Sequence, residues 1–527
     1  MEDTHEEPPR KRRRLSSGDD YDTDHKDRNL PMSLASSISP PPARRPPVPQ
    51  LPKVIPSPFQ LTWVRDLPAS SNVDAVSLKD ILGDPLIAEC WEFNYLHDLD
   101  FLMEAFDNDV RDLVKVHVVH GFWKSEDPSR QALQLQAAKY ANITLHTAYM
   151  PEMFGTHHSK MLILLRHDAC AQVIIHTANM IPFDWTNMTQ AIWKSPILPE
   201  LPSNAPPESV SSEMGSGCKF KTDLLNYLKA YDGRRTICKP LIQQLSKYDF
   251  STVRAALVAS VPARQGIETD SETTWGWPGL RTALSSVPVK GNEPEIVVQI
   301  SSIGTLGPTD KWLDNILFAT LNTSKNGNKS KSKFHIVFPT PDEIRRSLNG
   351  YRSGSAIHLK ILSAAQAKQL QYLKPLLYHW ARDAGQNDTA TSEDISDAGR
   401  KRAAPHIKTY VRYADKTRSS IDWMLVTSAN MSKQAWGDPI NASGKVRICS
   451  YEIGVLVWPE LFGEGATMVP TFKTDMPKAE SDVASHIVVG ARIPYDLPLL
   501  KYGEDDEPWC ATASYTKPDV GKLLSDY

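Results

Sequence analysis

Two stretches, one in each half of the chain, repeat the same order of residue types, and this duplication restricts the fold more than any other feature. Gly155–Asn179 reads GTHHSKMLILLRHDACAQVIIHTAN, and Pro405–Asn430 reads PHIKTYVRYADKTRSSIDWMLVTSAN. Each carries His-x-Lys, an apolar strand, a polar turn, a second apolar strand and then Thr- or Ser-Ala-Asn. The histidine and the asparagine are 21 residues apart in the first copy and 24 in the second. On a strand, residues i and i+2 share a face, so His158 projects with Lys160 and His406 with Lys408. The returning strand brings Asn179 or Asn430 beside that pair. Two copies facing each other make one pocket of two imidazoles, two ammoniums and two carboxamides. Such a set suits displacement at phosphorus: one imidazole attacks, the other protonates the leaving oxygen, and the cations and amides hold the non-bridging oxygens.

His-x-Lys alone is weak in a chain with 15 histidines, and His358-Leu359-Lys360 also matches it. No strand, turn, strand and Ala-Asn follow that third match, so it reads as incidental, near a helix start. His117 and His120 lie three apart in a strand and face opposite sides, a poor metal pair. His157 should point away from the pocket and make a structural hydrogen bond. No HExxH, paired-Cys or Asp-rich signature is present, and the two lysines supply the charge a metal would bring. Metal-independent chemistry without a cofactor is predicted.

Around the repeat, β-rich runs alternate with amphipathic stretches. The pattern predicts strands at Lys115–His120, Ile143–Tyr149, Lys160–Leu165, Gln172–Thr177, Glu295–Ile300, Phe334–Phe338 and Met424–Thr427. It predicts helices at Asp98–Asp107, Lys219–Tyr231, Lys239–Tyr248, Lys311–Asn322 and Ala364–Asp383. This is the signature of α/β layers, helices over a mixed sheet. Polar interruptions at Pro202–Gly217, Asn322–Lys333 and Gly385–Arg402 read as surface loops. Residues 1–58 hold 12 of the 40 prolines and one aromatic, Tyr21, too little apolar surface to offset the entropy of ordering. Within this disordered tail, Arg10-Lys11-Arg12-Arg13-Arg14 reads as a nuclear import signal.

The remaining residues carry 49 basic and 53 acidic side chains, so an anionic polymer would need a local basic groove. The six cysteines are never closer than 20 residues, which excludes CxxC motifs and argues for a reduced, intracellular protein. No apolar run approaches the roughly 18 residues of a membrane span, and no membrane partner is expected.

At the repeat the chain resembles the phospholipase D superfamily, and within it the tyrosyl-DNA phosphodiesterase branch. The superfamily's usual Asp, five positions after the lysine, is replaced by Leu165 and Tyr413, as in that branch. Gln190 in TNMTQAIW and Glu452 in SYEIGVL match its downstream residues. FNYLHDLDFL, SSIGTLG, NMSKQAWG and EPWC match as well, so the resemblance runs from Phe59 onward.

The resemblance implies two similar α-β-α sandwich domains with mixed sheets, 59–255 and 256–527, with the active site at their interface. It makes His158 the nucleophile and His406 the acid and then the base, with Lys160, Lys408, Asn179 and Asn430 on the phosphate. Glu452 would support His158 and Gln190 would support His406. Phe154 would stack on a base, Ser302, Thr305, Ser432 and Lys433 would meet backbone phosphates, and Tyr95 and Trp509 would lie toward a peptide.

The implied reaction is repair of a 3′-phosphotyrosyl bond between DNA and topoisomerase I, through a phosphohistidine, leaving a 3′-phosphate. The implied partners are single- or double-stranded DNA with a blocked 3′ end and the attached topoisomerase peptide. A nuclear monomer is expected, since one chain carries both copies. Two other readings stay open on the residues: a different phosphodiesterase of the superfamily, and an inactive DNA-binding scaffold.

Overall fold

The computed structural model describes residues 54–202, 213–267, 272–291, 293–327, 331–382, 395–478 and 486–520. The basic run at 10–14, the tail to residue 53, and parts of the three expected surface loops lie outside these described residues. Gln50–Tyr527 forms one compact unit.

Seven strands of the first half are β1 (Phe59–Leu61), β2 (Ile87–Phe93), β3 (Lys115–His120), β4 (Ile143–Thr147), β5 (Met161–Arg166), β6 (Cys170–His176) and β7 (Ala191–Lys194). Seven of the second half are β8 (Ala256–Ser260), β9 (Glu295–Gln299), β10 (Lys333–Val337), β11 (Leu377–Tyr378), β12 (Thr409–Tyr413), β13 (Ile421–Thr427) and β14 (Glu452–Val457). The first sheet runs β1-β7-β6-β5-β2-β3-β4, and the second runs β8-β14-β13-β12-β9-β10-β11. Both sheets are antiparallel as far as the β5–β2 or β12–β9 pairing and parallel beyond it. The order and direction of these seven strands are therefore duplicated, and the first sheet adds one short strand, Leu198–Pro199, paired with β6.

The apolar run of β5 shows why the sheet is covered on both sides. Met161, Ile163 and Leu165 enter one core with Trp91, Val173 and Trp193. Leu162 and Leu164 enter a second core with Leu99, Leu102, Val116 and Val118. Alternate residues thus serve opposite faces, as expected of a strand buried in an α/β layer. Parallel neighbours need a crossover, and the Pro128–Ala137 helix, capped by Asp127, makes it between β3 and β4. The first of the two cores also takes Val298, Val411, Leu425 and Val455, so a single apolar layer runs through both halves. The first half contributes the Gly217–Lys229 helix to that layer through Phe220, Leu224 and Tyr227, with Ser216 accepting from the Lys219 amide.

Several expectations need correction. The helix expected over Ala364–Asp383 ends at Leu373, because Pro375 cannot continue it; a 3-10 turn follows, and then β11. Leu313–Phe318, within the expected helix Lys311–Asn322, is π-helical. Both His-x-Lys triplets lie in extended segments just before β5 and β12, not within the strands. His358 lies in no helix start; it bridges to Ser302, six residues before the Ala364–Leu373 helix.

The chain is also paired before Phe59. Val54–Ile55 pairs in parallel with Val488–Val489, and the buried Ser57 accepts from the Arg492 amide at 3.0 Å and donates to the Phe59 carbonyl at 2.8 Å. Removal of residues 1–53 should leave the urea midpoint unchanged. Removal of 1–58 should lower the unfolding free energy by about 2 kcal/mol, the worth of the lost buried hydrogen bonds. Urea titrations of the two truncations check this.

Candidate active site

The two histidine segments each cross to the opposite half through backbone hydrogen bonds. The His158 amide donates to the Tyr451 carbonyl at 3.0 Å, and the Tyr451 amide donates to the Thr156 carbonyl at 3.0 Å. In the mirrored arrangement, Ala404–Pro405 pairs with Met188–Thr189, and the His406 amide donates to the Thr189 carbonyl at 3.1 Å. Residue 452 follows 451 and residue 190 follows 189. The side chains that accompany each imidazole therefore come from the other half.

His158 Nδ1 lies 2.9 Å from Glu452 Oε2, and the Ser428 hydroxyl donates to the same oxygen at 2.5 Å. A carboxylate accepts only, so Nδ1 carries the hydrogen and Nε2 keeps its lone pair. His406 Nδ1 lies 3.1 Å from Gln190 Nε2, 3.3 Å from Gln190 Oε1 and 3.2 Å from Asp184 Oδ2. The carboxylate again favours a hydrogen on Nδ1. The support of His406 is thus not a neutral amide alone. Asp184 was missed by sequence reasoning; an acidic residue between Asn179 and Gln190 in a stretch destined for burial was the available signal.

Lys160 and Lys408 are fully buried. Lys160 Nζ donates to the His158 carbonyl at 3.0 Å, and Lys408 Nζ donates to the His406 carbonyl. Burial lowers the Lys160 ammonium to about 8 against the raising effect of Glu452 and Asp184. Burial and then the Lys160 charge also lower Lys408 from its ordinary range, against the raising effect of Asp184 and Glu452. Burial lowers both imidazoles: His158 is partly restored by Glu452, while His406 falls to about 3 with Lys408 adding to the fall and Asp184 opposing it. Burial alone would raise Glu452, but His158, Ser428 and Lys160 hold it below the usual carboxylate range. Asp184 is held down in the same way by His406 and the Asn179 amide. Two cations face two anions around neutral imidazoles, a charge-balanced cluster that can exist in the interior.

Asn179 donates its amide nitrogen to Asp184 at 3.0 Å. Asn430 accepts from the Ser301 and Ser302 amides at 3.1 and 2.9 Å, which fixes its carboxamide with Nδ2 as the remaining donor. Gly304 donates to the Met431 carbonyl at 2.9 Å, so the Ser301–Thr305 loop and the Met431–Ser432 segment form one surface beside Asn430. Ser302, Thr305, Ser432 and Lys433 are brought together there; the Thr305 hydroxyl accepts from Gln366, and Ser432 caps the Lys433–Trp436 helix. His358 stands beside this surface, its carbonyl accepting from Ile303 at 2.9 Å.

Tyr95 is at the pocket: its ring centroid is 5.6 Å from that of His158 and 5.9 Å from Lys160 Nζ. Trp509 is not. It is 7% exposed, donates to the Ile357 carbonyl at 3.1 Å and stacks on Tyr351 and Tyr515, because its flat apolar ring gains more by packing there. His157 points away, as expected, between the Asn94 carbonyl at 2.7 Å and the Tyr231 hydroxyl at 3.0 Å.

Phe154 is 81% exposed and holds φ at 65°, a left-handed conformation that costs a non-glycine residue energy. Its neighbours enforce it. Glu152 is gripped by Arg447 at 2.7 Å and Arg264 at 3.0 Å, Thr156 donates to Ser450 at 3.1 Å, and any Cβ on Gly155 would run into the Cys449 carbonyl. An exposed aromatic held in this way is a presented contact surface.

Two like α/β halves, each lending a His-x-Lys pair to a shared seam, define a phosphodiesterase of the phospholipase D fold. A yeast tyrosyl-DNA phosphodiesterase crystal structure superposes with a TM-score of 0.61 at 21% identity, over 88% of this chain and all of that one. The family model described as tyrosyl-DNA phosphodiesterase matches residues 58–503. The probable tyrosyl-DNA phosphodiesterase of Schizosaccharomyces pombe is 32% identical over 89% of this chain and 95% of its own length. Tyrosyl-DNA phosphodiesterase 1 of Arabidopsis thaliana is 30% identical over 88% and 76%. The chain belongs to the tyrosyl-DNA phosphodiesterase family.

The pKa directions set a pH profile for kcat/KM. In the nucleophile's role that the resemblance implies, His158 acts as the neutral imidazole, which sets the acid limb below its ordinary 6.5. In the phosphate-holding role it implies for Lys160, the ammonium is the active form, which sets the alkaline limb no higher than about 8. Glu452→Gln removes the group that raises His158 and should shift the acid limb further down while lowering the rate. An unchanged acid limb in that variant would exclude Glu452 as the partner of the nucleophile.

Proposed function

We propose that the chain hydrolyses the 3′-phosphodiester between DNA and a tyrosine, the linkage left by a stalled topoisomerase I, and that it acts as a monomer in the nucleus. The observation that carries the reading is the crossed support of the two imidazoles, which makes them chemically unequal. His158 Nε2 attacks phosphorus while the bond to the tyrosine oxygen breaks, and His406 gives that oxygen its proton. Water then attacks the phosphohistidine, His406 takes a proton from it, the P–N bond breaks, and a 3′-phosphate leaves. Lys160, Lys408, Asn179 and Asn430 hold the non-bridging oxygens as charge moves onto them.

His406, lowered to about 3 by burial and Lys408, is neutral at pH 7 in the free protein. An incoming phosphodiester anion counters Lys408 and raises the imidazole toward the protonated state that the first step uses. Phe154 takes a base, and the Ser302, Thr305, Ser432 and Lys433 surface takes backbone phosphates. Tyr95, beside His158, lies on the leaving-group side.

A phenol, with a pKa near 10, leaves with little help, whereas water needs a base. His406→Asn should therefore slow the second step more than the first and accumulate a DNA adduct on His158, stable to denaturant and base and labile to acid. His158→Ala should give neither adduct nor free tyrosine. The test is a denaturing gel of a 5′-labelled 3′-phosphotyrosyl oligonucleotide, run in excess EDTA, where wild-type turnover should persist. An adduct surviving in His158→Ala would overturn the assignment. So would its absence from a folded His406→Asn that still releases tyrosine.

A further inference from the structure

A second cationic site lies in the first half, apart from the histidine pocket. A cavity of about 270 Å³ is lined by Trp123, Arg130, Tyr149, Met150, Arg234 and Arg235. An adjoining cavity of about 240 Å³ shares Arg130 and Arg235, so the two form one trough. The Arg234 guanidinium sits 4.0 Å from the centroid of the Tyr149 ring, and Arg130 donates to the Trp123 carbonyl at 3.0 Å, which fixes the loop carrying Trp123.

Arg130, Arg234 and Arg235 pair with no carboxylate among the described residues, unlike Arg166, Arg345, Arg412 or Arg447. The nearest acids in sequence are otherwise engaged. Asp127 accepts from the Ser129 amide at 2.9 Å, and Asp232 accepts from Ile237 and Cys238 at 2.6 and 2.8 Å. His120 and His146, in the adjoining cavity, are lowered by burial to about 3 and 4, so the charge of the trough is that of the guanidiniums and does not titrate near neutrality. Trp123 is 58% exposed, a large aromatic face left bare beside them.

Guanidiniums without a carboxylate partner beside one exposed aromatic ring, Trp123, fit a single nucleic-acid strand: phosphates meet the cations and a base stacks on the ring. The trough is connected to the His158 segment through the interior and along the chain. Tyr231 lines it and reaches His157, the neighbour of His158, at 3.0 Å, and Met150 lies four residues before the presented Phe154. We propose that this trough is a second DNA-binding site, which holds the strand 5′ of the nucleotide stacked on Phe154. The proposal rests on the reading of the substrate given above.

The experiment compares wild type with Arg234→Ala/Arg235→Ala, two exposed positions whose loss leaves the fold intact. Substrates are 3′-phosphotyrosyl oligonucleotides of about five and about twenty nucleotides. For the long substrate, KM should rise about tenfold with kcat unchanged, and the slope of log KM against log salt should fall by about 1.4, the loss of two phosphate contacts on a single strand. For the short substrate, KM should not change. An equal change for both lengths, or none for either, overturns the proposal.

If wild type turns over neither oligonucleotide, the functional reading fails, and fluorescence anisotropy with an unmodified single-stranded oligonucleotide still decides the trough. A roughly tenfold weaker Kd in the double variant supports it. An unchanged Kd, or weaker binding only of an acidic peptide control, overturns it.

Discussion

The site depends on two short backbone crossings, His158 to Tyr451 and His406 to Thr189. Each is a main-chain hydrogen bond between halves, so it holds geometry without requiring a particular side chain. Because residues 451 and 189 immediately precede Glu452 and Gln190, the crossings fix which polar group meets which imidazole. The continuous apolar layer that runs through both sheets makes the crossings rigid, since neither half can turn without opening it. A chain with the same residues but separable halves would hold two incomplete sites.

Electrostatics imposes the next constraint. Two lysines without exposure repel each other, and each alone would lose its proton to escape the interior. Glu452 and Asp184 make the cluster tolerable by matching the charges and filling the Nδ1 positions of the imidazoles. The same low-dielectric setting gives the cluster its use: an anion placed between the lysines gains far more there than it would in water. Asp184 has no acidic counterpart at the equivalent place of the second copy, where Ala435 stands. Each half contributes one lysine and one acid, but the acids stand at non-equivalent places, so the two imidazoles have different surroundings.

The surface around the pocket follows a different principle. Phe154 is exposed and strained, and the strain is sustained from the second half through Glu152, Arg447 and Arg264. The cost of this conformation is carried by contacts made elsewhere in the fold. The exposed aromatics Tyr95, Trp123 and Phe154 all belong to the first half, and Ser302, Thr305, Ser432 and Lys433 to the second. The exposed rings and this polar surface thus come from opposite sides of the seam.

Local pattern carried much of this. The repeated His-x-Lys, strand, turn, strand and Ala-Asn order was enough to group His158, Lys160 and Asn179 in one set and His406, Lys408 and Asn430 in another, because extended chain relates residues two apart and a hairpin relates its two arms. It was also enough to anticipate the inward turn of His157. Strands such as Lys115–His120 are legible from their alternation, and the end of the Ala364–Leu373 helix is legible in Pro375, which cannot continue it.

What local pattern could not supply was any relation between residues far apart whose partners are chosen by packing. That Asp184 reaches His406, that Trp509 is enclosed by Tyr351 and Tyr515, that His358 lies beside Ser302, and that Arg130 meets Arg235 in one trough were decided by how the halves and their loops came together. The sequence by itself determined the composition of the pocket and the duplication of the fold. Only the tertiary structure decided that Asp184 joins Gln190 at His406 and which cations remain unpaired, since both follow from burial and charge matching across long separations in the chain.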